Sequence, residues 1–260
     1  MGWARRPERT RDRGNLTRLD RSPAFRVTVE LAAALLLIAV PIAFNLAFFE
    51  LGRAFDYPNI LRKEPDEILR RFAAGGSGLI LRWQALLLSA LAMLPLVALL
   101  AVVLGPPVSL AVASVVVGSA AALVQALGLV RWPFAVPELA RRYLAADSQH
   151  GPDGAATRQA VEVVFATLHR LLGIGIGEHL GYMLTGVWTL LVAASIVSGA
   201  VLPSWLGLIG IPIGVALLIG TLEFVGPNEE RGWPLAGTIV PIAYIAWSIW
   251  LIALGVVLIL

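Results

Sequence analysis

Cysteine is absent from the 260 residues. This excludes a disulfide framework, a thiolate metal site and a thiol nucleophile. Charge is scarce, at 14% of the chain, against about a quarter in a soluble domain. The alternating segments of about ten residues that build a membrane barrel are also missing. Only three histidines occur. No HExxH or comparable ligand spacing is formed, so neither metal nor other cofactor is expected.

What is present is apolar and continuous. Hydrophobic residues make up 58% of the chain, and the mean hydropathy is +0.81. Runs of about 20 apolar residues recur, which is the length of a membrane-crossing helix. The sequence therefore predicts an all-α, integral-membrane helical bundle. Six transmembrane helices are expected, over about 25–49, 79–104, 108–130, 179–201, 206–225 and 238–260, with short interfacial helices in the outer loops.

Residues 1–24 are read as a disordered basic cytoplasmic tail. They hold seven arginines against Glu8, Asp12 and Asp20, and such a segment buries no core. This run explains the pI of 9.8 by the positive-inside rule rather than by nucleic acid. With six spans, both termini are expected on the cytoplasmic side of the cell membrane. Trp83 and Trp132 are then expected at the outer boundary, as part of an aromatic belt.

The outer loops carry helical signals. Residues 64–76 read as a short helix, with Pro65 at its start, Asp66 and Glu67 in the first turn and Gly75 at its stop. The third span is expected to end at Arg131-Trp132-Pro133, followed by another short helix from Pro137 to near Ala146. Asp153 is placed to cap an amphipathic helix whose apolar side is Val161, Val164, Phe165, Leu168, Leu171 and Leu172. His169 falls on its polar side.

Ionisable groups near a bilayer are costly and are usually paired or functional. Here they gather at the outer ends of the spans: Arg82, Gln125, Arg131, Glu178, His179, Tyr182 and Glu223. If they converge, they form an outward-facing polar pocket; otherwise they form a solvated rim of salt bridges. Gly173, Gly177 and Gly181 recur every fourth residue, which suits close helix packing. The Gly-Ile-Gly-Ile-Gly run at 173–177 lacks the strand–turn–helix context of a phosphate loop. His169 and His179 would stand about 15 Å apart on one α-helix, too far to share a metal.

Three passages resemble a known family: FDYPNILRKEPDEILRRFAAGG (55–76), GEHLGYMLTGVWTLLVA (177–193), and PSWLGLIGIPIGVALLIG with AYIAWSIWLIALGVVLI (203–220 and 243–259). The sequence is similar there to the multi-pass bacterial membrane family catalogued as domain of unknown function 4386. The resemblance implies a bacterial multi-pass membrane protein and no reaction. Two functional readings stay open. One is a non-enzymatic protein that binds a small or lipidic molecule, or serves as an accessory or sensor subunit. The other is a membrane enzyme with Glu178 or His179 in acid–base work and Arg82 or Arg131 holding an anionic group. Membrane lipids are expected partners, with a partner subunit or homo-oligomer possible and nucleic acid not.

Overall fold

A computed structural model describes residues 23–149 and 151–260. The expected tail lies almost wholly outside the described residues. The fold is all helix: α1 (Pro23–Phe55), α2 (Pro65–Leu91), α3 (Met93–Leu104), α4 (Val108–Asp147), α5 (Pro152–Leu168), α6 (Gly181–Ser198), α7 (Ser204–Gly220) and α8 (Pro234–Ile259). A π-helical segment, His169–Leu180, joins α5 to α6. A 3-10 turn, Asn59–Arg62, follows α1.

Five stretches are long and apolar enough to cross a membrane: α1, α2 with α3, α4, α5 through α6, and α8. α7 is shorter, at 17 residues, or about 25 Å of helix, still within the spanning range. The molecule is a six-helix membrane bundle.

One expected boundary is corrected. The short helix expected after the third span is not a separate piece; it continues that span. α4 runs 40 residues, straight through Pro133 and Pro137. Its aromatic and apolar side chains, Trp132, Val136, Ala140 and Tyr143, are all buried, and this packing outweighs the backbone bonds that the prolines remove. The helix from Pro65 does break before the second span, beside the expected stop at Gly75. Its break falls at Gly76, whose φ of 53° and ψ of −151° only glycine adopts readily. Asp153 does not cap α5: Gly151 occupies that position and no side-chain cap bond forms.

These outer helical stretches create two storeys. One core lies in the apolar bundle and centres on Leu37, Leu96, Trp188, Leu217, Trp247 and Leu251. The second lies beyond it, where α1 ends and α2, α4 and α5 extend. It contains Phe55, Ile60, Phe72, Trp83, Trp132 and Phe165. Trp83 and Trp132 are therefore not belt residues. Both are buried and stacked, with ring centroids 4.4 Å apart and planes 6° apart. His169 is not on a polar face either, because its ring stacks on Phe165 at 5.7 Å. Two members of the expected apolar face, Val164 and Leu171, are instead exposed.

The other end of the bundle is plain. Gly105, with a φ of 54°, turns α3 toward α4. Small residues seat α6 against α7: a Cβ on Gly186 would lie 2.8 Å from the Gly214 carbonyl oxygen, and one on Gly207 would lie 2.7 Å from that of Ala193.

Candidate functional site

The polar end of the bundle is built from four helical walls and a loop. α4 brings Gln125 and Arg131 up one face, about 9 Å apart along the axis. Opposite them runs the π-helical segment. Its glycines allow contact that side chains would prevent: a Cβ on Gly128 would lie 2.6 Å from the Gly177 Cα, and one on Gly173 would lie 2.6 Å from Arg131 Nη2. Gly181 meets the Gln125 side chain. The expected glycine stripe thus lies along α4.

Between these elements, α1 and α8 lies a cavity of about 810 Å³. Its upper wall is polar, with Tyr57, Arg62, Arg131, Glu178 and Glu223. Its lower wall is apolar and aromatic, with Phe44, Phe48, Leu86, Leu129 and Val240. Gln125, Tyr182 and Tyr244 line it too. Gln125 donates to Thr185 Oγ1 at 2.8 Å. Thr189 donates to the Thr185 carbonyl at 2.7 Å, and Trp247 Nε1 donates to Thr189 Oγ1 at 2.9 Å. This chain of donors links α4, α6 and α8 through buried polar groups, while Trp188 Nε1 beside it has no hydrogen-bond partner.

Five of the seven sequence-derived residues converge here: Gln125, Arg131, Glu178, Tyr182 and Glu223. Arg82 does not join them. It donates to the Gly78 carbonyl at 3.1 Å and lies 3.6 Å from Glu50. His179 does not line the cavity either, and its Nδ1 lies 2.8 Å from the Thr221 carbonyl oxygen, tying the π-helical segment to the end of α7. Of the two acid–base candidates, Glu178 faces the cavity and His179 does not.

Sequence reasoning missed Arg62, Tyr57 and Tyr244. Arg62 comes from the loop after α1 and crosses to two carboxylates, Glu223 at 3.4 Å and Glu178 at 3.9 Å. Its guanidinium also lies over the Phe224 ring at 4.6 Å. Nothing local in NILR marks this role; only the loop's return over the bundle does. Tyr57 sits where burial pushes its phenol up to about 12, with the nearby Glu178 charge adding to the shift. Glu223, in the loop after α7, is raised by burial, against the opposing pull of Arg62.

Arg131 is a buried charge with little to balance it. It is 6% exposed. Nη1 donates to the Gly128 carbonyl, Nε has no hydrogen-bond partner, and the guanidinium lies against the Trp132 ring at 5.1 Å. Among the described residues no carboxylate approaches it within the 4.0 Å of an ion pair. Glu178 Oε2 is also without a hydrogen-bond partner. Among the described residues no group of three or more His, Asp or Glu is placed to hold a metal ion.

The fold and cavity define a multi-pass helical membrane bundle with a mixed polar and aromatic chamber at one end. The chain belongs to the family described as domain of unknown function (DUF4386), which matches residues 32–255. No curated protein and no solved structure matches it.

Proposed function

We propose that the protein is a ligand-binding protein of the cell membrane, not a catalyst, and that its ligand occupies the cavity between α1, α4, the π-helical segment and α8. One observation carries this reading. A chamber of about 810 Å³ brings a buried, unpaired guanidinium and a buried carboxylate together above an aromatic floor. Pockets of this size and mixed lining are the usual form of small-molecule sites, and buried charges left incompletely paired are costly unless something uses them. The arginine-rich start favours cytoplasmic termini. Because α1 begins at the plain end and α8 finishes there, this orientation turns the cavity to the outer leaflet.

Native mass spectrometry of the detergent-extracted protein tests the reading. A discrete small mass should be retained by the native chain. It should be lost from Gln125→Leu with Tyr244→Phe, which alters the lining without adding charge. Retention unchanged in that variant would place the ligand elsewhere, and no retained mass under any extraction would remove the reading.

A further inference from the structure

We infer that the ligand is an amphiphile that enters sideways from the bilayer between α1 and α8. Its head group would carry an acidic group for Arg131 beside a hydroxyl or ammonium for Glu178. The inference rests on the ligand-binding reading above and names the class of ligand.

The route follows from how α1 and α8 meet. At the plain end they touch closely: a Cβ on Gly255 would lie 2.8 Å from the Ala34 carbonyl oxygen. Further along, Asn45 Nδ2 donates to Ser248 Oγ at 2.9 Å. Beyond that point the two helices become walls of the cavity, through Phe49, Gly52 and Arg53 on one side and Gly237, Pro241 and Ile245 on the other. Phe49 and Ile245 are 59% and 57% exposed. A residue that both lines a cavity and faces outward stands at a mouth, so one mouth is in the bundle's side. Pro58 and Arg62, lining residues that are exposed too, mark a second opening at the polar end, and Arg62 crosses it, bound to Glu223 and Glu178. A water-soluble ligand would have to part those ion pairs; a bilayer amphiphile would not.

The head group follows from what is unsatisfied. Arg62 already serves both carboxylates, and Arg53 lies 3.8 Å from Glu50. Arg131 is the lining guanidinium without a carboxylate, and its Nε is an unused donor. A phosphate or carboxylate oxygen suits it. Glu178 Oε2 lies 3.9 Å from Arg62 but accepts no hydrogen bond, and it suits an O–H or N–H. The chamber from Arg53 down to Phe44 covers nine residues of helix, about 14 Å, lined below by Phe48 and Phe44. That depth, apolar but for Asn45, Gln125 and Tyr244, fits acyl chain.

The test incubates the purified protein with phosphatidylglycerol, phosphatidylethanolamine, phosphatidylcholine or glycerol phosphate, and native mass spectrometry reads what is retained. The first two lipids pair a phosphate with a donor; the third has no donor, and the fourth has no chain. The expected result is retention of the first two at least tenfold above the others. Arg131→Gln should abolish it. Because Arg131 is buried, Glu178→Gln serves as a second variant and should bring phosphatidylcholine level with phosphatidylethanolamine. Ile245→Trp, at an exposed position, should slow uptake from vesicles severalfold. Equal retention of phosphatidylcholine by the native chain would overturn the head-group assignment. Glycerol phosphate held as well as the lipids would overturn the amphiphile and its side entry while sparing the cavity as a binding site. If none of the four is retained, the amphiphile inference fails here, whereas the cavity reading fails only if extraction yields no ligand at all.

Discussion

Individual residues at the site are fixed by how near their neighbours come. A Cβ at Gly128 meets backbone atoms of the π-helical segment at 2.6 Å, while one at Gly175 meets nothing nearer than 3.7 Å. Gly128→Ala should therefore destabilise the protein by about 1–3 kcal/mol, the usual cost of overpacking. Gly175→Ala should leave it unchanged; thermal unfolding in one detergent compares them directly. Glu223 gives a prediction with pH. Burial raises its pKa in the folded state, above about 4.3 for a free glutamate. The folded state thus favours the protonated form, and the stability from that preference is present below the free pKa and lost as pH rises through the folded one. Relative to the native chain, Glu223→Gln should gain thermal stability as pH rises across that window. A constant difference in melting temperature from pH 4 to 8 would contradict the assignment.

At the scale of elements, the informative ones are those whose backbone departs from a regular α-helix. α2 is kinked at Gly76, between its outer part and the membrane span, where φ is 53° and an added Cβ would meet nothing within 4 Å. Gly76→Ala meets no clash, but it places an L-residue in backbone space that costs about 1–3 kcal/mol. A loss of that size should appear as a lower melting temperature, and Gly75→Ala should lower it too, because its Cβ would lie 2.7 Å from Cδ2 and 2.8 Å from Cβ of the buried Leu79. The π-helical segment is the other such element. Gly173 and Gly177 in this segment press on α4, yet their four-residue spacing is α-helical and the backbone is not. The wider turn comes from pressing this segment onto Gly128 and Arg131 of α4, which no local rule anticipates. π turns of this kind are frequent at functional sites, and here one sets Glu178 on the chamber wall.

The whole molecule is two stacked cores joined by helices that run through both. The second core is centred on aromatics: Trp83 on Trp132, with Phe55 edge-on to each at 6.2 and 5.6 Å. Trp132→Ala should cost about 3–5 kcal/mol, and its effect should be uneven. Hydrogen exchange should show α5 and the loop at 56–63 losing protection, while α6 and α7, packed through their own glycines, keep theirs. Uniform loss of protection would mean that the two storeys unfold as one.

The sequence by itself determined the solvent, the helical class, the family and the approximate spans, because bilayer length and apolar composition are local properties written in consecutive residues. It also located the polar end: Gln125, Arg131, Glu178, Tyr182 and Glu223 were legible as ionisable or polar groups where a membrane makes such groups costly. Tertiary structure alone decided which of them meet. It excluded Arg82 and His179, whose partners Glu50 and Thr221 lie on other faces, and it added Arg62, Tyr57 and Tyr244 from loops and helices far away in the chain. It also carried α4 through two prolines that local rules treat as stops. The reason is the same in each case: burial in a shared core and pairing across distant segments outweigh local preferences of about 1–3 kcal/mol, and only the folded chain reveals which distant segments those are.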